Sequence, residues 1–367
     1  MTSQNNLRNT DQPLIASFPL YPPLELFHSL GLQPIVLWGI EKVFQKTENS
    51  SKHLQDYACS VAHYLTEFFL SDLGNHIEGI FHYNACDTLR NLPEVILRNL
   101  EEKERHVPGF HIHIPMSSLQ DDYSESYLKT EINQLIGELE DDFGTVFSQH
   151  DFIKSVKLYE KMRKLYGEVE ERVRDDLISF SQLTEAFLES TFQKVEYRIE
   201  CFERTIEESN KKSPTSRKDE PVNIILSGIL PPSSEIIQMI EDSGFIIVGN
   251  DIAYLTRMIS KTPEREYWTS VQDYYVDFYK NHTPCPTLLY TSDRRIPYLN
   301  DLIRQNKAEG VIFLGEKFCE YEFFEFPYLK KLLTQNNIKL LELEFSKEDT
   351  SNIDSIRTRI EAFKELF

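Results

Sequence analysis

The sequence predicts an α/β protein: two doubly wound parallel-sheet domains joined by a long helical insert. Three observations predict it. Short apolar runs alternate with amphipathic helical stretches between Tyr21 and Tyr123. The same alternation returns between Pro221 and Phe367. Between the two, residues 124–211 are rich in Glu, Lys, Arg, Leu and Phe and poor in Gly, a composition that suits long helices. Strands separated by helices imply parallel sheets covered on both faces.

In chain order, residues 1–20 read as a flexible arm and residues 21–123 as an N-terminal α/β domain. There, Leu24–Leu30 is a short helix that starts on Pro22 and Pro23 and stops at Gly31. Gln33–Gly39 is a buried strand. Residues 54–70 are helical, with Val61, Leu65 and Phe68-Phe69 on one face. Gly79–Tyr83 is a second strand, followed by the turn Asn84–Asp87 and a helix from Thr88; Phe110–Ile114 is a third strand, closed by Pro115. Residues 124–220 form the helical insert and its linker, and Lys211–Pro221 (KKSPTSRKDEP) is the clearest boundary. The C-terminal α/β domain spans 221–367. Its strands are Val222–Gly228, Gly244–Val248, Gly310–Leu314 and Lys339–Phe345. Its helices are Ser234–Ser243, 262–281, Ile296–Asn306, Tyr328–Asn336 and Ile353–Phe367. In open α/β sheets the functional loops lie at the carboxyl ends of strands.

Charge and composition narrow the function classes. The 367 residues carry a formal net charge of −20, with 40% hydrophobic and 27% charged residues, which describes a globular acidic chain. Such a chain repels nucleic-acid phosphates and anionic lipid, so neither nucleic acid nor membrane is an expected partner. The polar start MTSQNNLRNT is unlike a secretory signal, and apolar stretches such as Gly31–Ile40 are far too short to span a bilayer. The expected location is the cytoplasm. Neither a G-x-x-x-x-G-K-[ST] nor a G-x-G-x-x-G run occurs, which argues against nucleotide binding by this chain.

Five cysteines, an odd number on a long chain, argue against a disulfide framework. Each is therefore a small buried hydrophobe, a nucleophile or a ligand. Cys86 follows the strand around Ile80-Phe81 and precedes Asp87. Cys319 follows Leu314 and precedes Glu320. Polar turns at strand ends are unusual places for packing cysteines. Cys59 lies in a helix after the first strand. All three fall where a parallel sheet presents its site, and two facing units would bring them to one cleft. No C-x-x-C spacing links them, so zinc-ribbon and ferredoxin patterns do not apply. Cys201, within Tyr197–Phe202, suits simple packing, and Cys285 sits between Pro284 and Pro286 in a fixed loop.

Ordered motifs add a family resemblance. Tyr21–Gly39 resembles the opening of the 2-hydroxyacyl-CoA dehydratase and benzoyl-CoA reductase subunits. So do Tyr57-Ala58-Cys59-Ser60, Asn84-Ala85-Cys86-Asp87, Ile224–Gly228, Ile240–Gly244 and Pro284–Thr287. Gly310–Phe313, Lys317-Phe318-Cys319, Phe326–Leu329 and Ile356–Phe363 complete the series in order, so the likeness runs over roughly residues 20–365. It resembles most the 2-hydroxyglutaryl-CoA dehydratase D-component type. The resemblance implies an oxygen-sensitive [4Fe-4S] cluster, or a double-cubane [8Fe-9S] cluster, on Cys59, Cys86 and Cys319. It implies a lyase that reduces an acyl-CoA thioester by one electron and eliminates water by radical chemistry. The alternatives are an ATP-driven reductase subunit of the benzoyl-CoA reductase or double-cubane type, and an electron-relay subunit with no substrate of its own. Implied partners are a homologous second subunit, in a hetero- or homodimer, an ATP-dependent iron–sulfur activator protein and an acyl-CoA substrate. Three features depart from the family pattern: Cys319-Glu320-Tyr321 for Cys-Asp-Pro, Thr256 for a glycine before Arg257, and Asp354-Ser355 for Gly-Gln.

Other residues invite sharper readings than they support. His111 and His113 share one strand face, yet no third ligand stands at local spacing, so strand-end packing is favoured over metal binding. Cys59 and His63 are one helical turn apart, where a packed neighbour is favoured over a ligand pair. Glu342 and Glu344 alternate on a strand and read as a solvated strand end. Arg357 and Arg359 fit either a CoA phosphate or the nearby Glu361.

Overall fold

The computed structural model describes residues 11–40, 44, 47–117, 119–213, 220–259, 261–346 and 353–367. Two four-stranded, all-parallel sheets carry the fold. The first has the order β2-β1-β3-β4, built from β1 (Leu14–Ser17), β2 (Gln33–Val36), β3 (Gly79–Tyr83) and β4 (Gly109–Ile112). The second has the order β6-β5-β7-β8, built from β5 (Val222–Gly228), β6 (Phe245–Ile252), β7 (Gly310–Glu316) and β8 (Lys339–Phe345). In each sheet the order reverses beside the first strand, between β1 and β3 and between β5 and β7. Those are the switch points where α/β sheets open a crevice. The expected fold class is the one observed.

The expected arm at residues 1–20 is corrected in its second half. Residues 1–10 lie outside the described residues, but Leu14-Ile15-Ala16-Ser17 is β1, a fully buried inner strand paired with both β2 and β3. Four residues are too few to show a period, and the polar residues before them hide the strand. The expected linker 211–221 overlaps residues 214–219, which lie outside the described residues.

Several helix bounds move. α1 is Leu24–Ser29, and α2 is Ser60–Leu70 rather than 54–70. α3 covers Asp87–Glu102. The insert consists of α4 (Asp122–Phe143), α5 (Gln149–Arg174), α6 (Phe180–Glu189) and α7 (Val195–Ser209). α4 is amphipathic: Leu128, Ile132, Leu135 and Leu139 recur at helical spacing and are fully buried, worth about 1.5–3 kcal/mol each. Its cap is Asp121, which accepts from the Ser124 N–H, and Gly144 ends it with a left-handed φ of 62°. α8 is Ser234–Asp242 and α12 is Ile353–Lys364.

The helix expected over 262–281 shrinks to α9, Val271–Lys280, because Ser270 and Asp273 form a capping box that fixes its start. α10 is Ser292–Gln305 and α11 is Glu320–Gln335, each starting four or more residues before the expected start. Pro297 and Pro327 lie inside these two helices. α3 holds Pro93 in the same way. A proline costs a helix one hydrogen bond, and burial of the surrounding face offsets it.

The insert wedges the two sheets into one body. α5 packs on α1, α7 and β6, and α4 packs on β4 and α9. One continuous hydrophobic core includes residues of both sheets and of the insert, while a smaller cluster lies on the far side of the second sheet. A buried ion pair fixes α1 to this body. Glu25 pairs with Arg163 of α5 and accepts from Tyr274 Oη at 3.0 Å and Tyr275 Oη at 3.3 Å.

Candidate functional site

Cys59, Cys86 and Cys319 share one local position. Each is the N-cap residue of a helix: Cys59 of α2, Cys86 of α3 and Cys319 of α11. An N-cap residue faces the free N–H groups of the first helical turn and the positive end of the helix dipole. A thiolate there is stabilised in the way a carboxylate is. Cys86 Sγ accepts from the Leu89 N–H at 3.4 Å.

The strand ends set these positions. After β3, Asn84 locks the turn by donating Nδ2 to the Ile114 carbonyl at 2.9 Å and accepting the Ile114 N–H at 2.7 Å. Cys86 comes two residues later. After β7, Phe318 adopts a left-handed φ of 66°, and the Cys319 N–H donates to the Glu316 carbonyl at 2.9 Å. That tight turn swings Cys319 to the head of α11. The two halves are joined here as well. The Glu316 carboxylate at the end of β7 accepts from the Ser60 N–H at 3.3 Å and from the Ser60 hydroxyl. Ser60 is the residue after Cys59, so this clamp holds α2 of the first half against the strand that carries Cys319.

The three thiols lie within electrostatic reach of one another. Burial pushes the Cys59 thiol up to about 12; the N–H groups of Ala62 and Val61 work against that rise, while Cys86 and Glu316 add to it. Burial raises Cys86 as well, with Leu89 and Thr88 N–H groups opposing. Cys319 is raised well above an ordinary thiol by burial, then by Glu322, Cys59 and Cys86. All three residues are half-buried. In the metal-free chain they are neutral thiols, and any metal that binds them displaces protons.

Among the described residues, no three His, Cys, Asp or Glu side chains close on a single metal-ion position. A lone zinc ion needs all its sulfur ligands about 2.3 Å from one point. A cluster offers a separate iron to each thiolate and so accepts a wider ligand triangle.

Beneath Cys319 lies a buried polar network at the carboxyl end of the second sheet. Glu322 of α11 accepts the Glu316 N–H at 3.2 Å. Burial holds the Glu322 carboxyl up at about 8, against the lowering effect of Arg257. Arg257 is fully buried; it pairs with Asp251, donates to the Gly228 and Asp251 carbonyls and meets Cys285 Sγ at 3.3 Å. Arg295 pairs with Asp251 and with Glu325 at 3.1 Å. Arg257 lies on a single π-helical turn, Ala253–Arg257, that ends β6. Such turns often mark functional positions. Sequence reading missed this network. The only signal was the run Gly249-Asn250-Asp251 ahead of Arg257, and it does not point to Arg295 or Glu322.

The remaining candidates fall into place without a site. Cys201 is buried in the core against Arg204. Cys285 is buried beside Arg257 and Thr287, its loop pinned by Thr291 Oγ1. His63 does not pair with Cys59 through its ring: Nδ1 meets Ser50 Oγ at 3.0 Å and Nε2 meets the Gln55 carbonyl at 3.2 Å. The His111 ring packs 4.9 Å from that of His82, and the His113 N–H donates to Glu131 at 2.6 Å. Glu342 and Glu344 lie on β8, where Arg359 donates to the Glu342 carbonyl. Arg357 and Arg359 are exposed on α12. Thr256, the departure before Arg257, binds Tyr166 Oη at 3.1 Å and the Glu170 carboxylate.

An open cleft of about 800 Å³ lies beside the helix heads that Cys86 and Cys319 cap. Its walls include Asp87 and Glu320, the residues next to Cys86 and Cys319. No described helix is long and apolar enough to cross a membrane.

The fold and the site together define a two-sheet α/β protein that brings three helix-capping cysteines from both halves of the chain within electrostatic reach of one another. The chain belongs to the family described as 2-hydroxyglutaryl-CoA dehydratase, D-component, which matches it over residues 19–367. It is 24% identical to the (R)-phenyllactyl-CoA dehydratase beta subunit of Clostridium sporogenes, over 98% of this chain and 93% of the relative. It is also 24% identical to the beta subunit of (R)-2-hydroxyglutaryl-CoA dehydratase of Acidaminococcus fermentans, over 96% and 91%. With a benzoyl-CoA reductase subunit of Thauera aromatica it shares 23% identity over 96% and 90%. These relatives are, by name, subunits of multi-subunit dehydratases and of a reductase.

Proposed function

We propose that this chain is the iron–sulfur subunit of a 2-hydroxyacyl-CoA dehydratase-type enzyme, with a [4Fe-4S] cluster held by Cys59, Cys86 and Cys319. The observation that carries the reading is that three N-cap cysteines, from both halves of the chain, lie within electrostatic reach of one another. The donor set fits the group. Thiolate is the ligand class of iron–sulfur clusters, and three ligands leave one iron open to an exogenous ligand. When bound, the cluster supplies one-electron transfer, here toward a CoA thioester whose reduction leads to loss of water.

The chain's own residues do the rest. The helix N-termini behind the cysteines stabilise thiolate charge. The Glu316–Ser60 clamp keeps Cys59 in register with Cys319. Glu322, neutral near pH 7 because of burial, spares the site a further negative charge. Arg257 and Arg295 supply buried positive charge behind Cys319, balanced by Asp251 and Glu325.

One observation favours a second reading, an electron-relay subunit without a substrate of its own. Among the described residues, no Lys or Arg lines the cleft beside the cysteines. A CoA thioester is polyanionic and needs cationic contacts. The test combines the anaerobically reconstituted chain with a partner subunit, an ATP-dependent activator and a 2-hydroxyacyl-CoA, and analyses the thioester by mass spectrometry. Loss of one water supports the dehydratase reading. A gain of two hydrogens identifies a reductase. Thioester turnover by the activated partner lacking this chain, at the full rate, contradicts both the lyase and the relay readings.

A further inference from the structure

The cleft beside the cysteines has an unusual surface. Phe324 and Tyr328 stand one turn apart on α11 and are 75% and 69% exposed. Two large aromatic side chains this open to water on one cleft wall mark an interaction surface rather than scattered exposure. Aromatics are also the residues that anchor protein interfaces.

The rim carries one sign of charge. Asp87, Asp293, Glu320 and Glu325 line the cleft together with Phe324 and Tyr328. Arg90 offsets Asp87 at 3.1 Å, and the buried Arg295 offsets Glu325. Asp293 and Glu320 are exposed and, among the described residues, have no cation on the lining.

We propose that this cleft is the docking surface for an unlike protein chain whose contacting face sets Lys and Arg around an apolar centre. A second copy of this chain is a poor occupant. A two-fold interface apposes the same patch of both copies, so the acidic rim would face an identical acidic rim in two chains that each carry −20. A basic partner is attracted by the same charges, which speed encounter and reject like-charged competitors. The inference extends the paired-subunit part of the proposed function by naming the face and the chemistry of the partner. The docking itself requires no cluster.

The test uses the full-length chain at physiological salt and two labelled probes: an amphipathic helix of leucine and lysine, and its leucine–glutamate counterpart. Binding is read by fluorescence anisotropy, and the site by hydroxyl-radical footprinting of Tyr321, Phe324 and Tyr328. The basic probe is expected to bind and protect these residues, and the acidic probe to do neither. Phe324→Ala with Tyr328→Ala, and separately Glu320→Lys with Asp293→Lys, are expected to weaken binding at least about tenfold. Glu185→Lys, a charge reversal at an exposed position of α6, controls for attraction to the acidic chain as a whole. Equal weakening by Glu185→Lys, unchanged binding in the cleft variants, or self-association in sedimentation equilibrium that Glu320→Lys abolishes would each overturn the proposal. Probe binding by a chain that takes up no iron would overturn the cluster reading and leave this inference standing.

Discussion

Cys59, Cys86 and Cys319 differ from Cys201 and Cys285 in their place on an element. Each of the three opens a helix, whereas Cys201 lies inside α7 and Cys285 in a pinned loop. Strand-end position makes Cys86 and Cys319 legible as candidates from sequence. Cys59 is legible only through the ordered motifs around it. The capping role is hidden in the sequence, because the expected helices start elsewhere. Thr256 gives a residue-scale prediction. Its hydroxyl, with Asn250 and Tyr166, solvates Glu170, whose carboxyl burial lifts to about 7. A carboxyl raised on folding binds more protons in the native chain than in the unfolded one. Its contribution is therefore fully present below the ordinary value of 4.5 and is lost as pH rises through about 7. Glu170→Gln should flatten the fall in melting temperature between about pH 5 and pH 8 and raise stability at the upper end. An unchanged slope in calorimetry would count against that account.

At the scale of elements, two polar contacts hold the helices that matter. Glu25 is buried with Arg163, Tyr274 and Tyr275, so Glu25→Ala strands a buried guanidinium. Denaturant unfolding should show a loss of about 3–5 kcal/mol, against a much smaller loss for an exposed pair such as Lys161–Glu203. The Glu316–Ser60 clamp should behave as one unit. Glu316→Ala and Ser60→Ala are each expected to cost about 1–3 kcal/mol, and the double variant less than their sum. Additive costs would mean the contact contributes nothing. Gly39 makes a similar point for the loop after β2: its φ is +66°, and a Cβ there would run into the Tyr254 ring. Sequence reading finds most strands because buried parallel strands are continuous apolar runs. It loses β1 to brevity and starts α10 and α11 too late. The head of α11 is where Cys319 sits, so the late expected start conceals its capping position.

At the scale of the whole molecule, two sheets that sequence divides into two domains share one core through the insert. Heating should therefore give one cooperative unfolding transition in calorimetry, with fluorescence and circular dichroism coinciding; two separated transitions would show that the halves are independent. The site depends on this union, since Cys59 and Cys86 come from the first half and Cys319 from the second. The arginine–carboxylate network behind Cys319 is invisible in sequence because its members, Asp251, Arg257, Arg295 and Glu325, are far apart in the chain and meet only when β6, α10 and α11 pack. The most direct test of the cluster site is a count of iron and sulfide after anaerobic reconstitution, with EPR spectra of the reduced protein. The wild type, Cys201→Ala and Cys285→Ala should each hold about four irons and four sulfides per chain. Cys59→Ala, Cys86→Ala and Cys319→Ala should each lose most of both, together with the EPR signal. A full cluster in all three of those variants, or its loss in Cys285→Ala, would contradict the assignment.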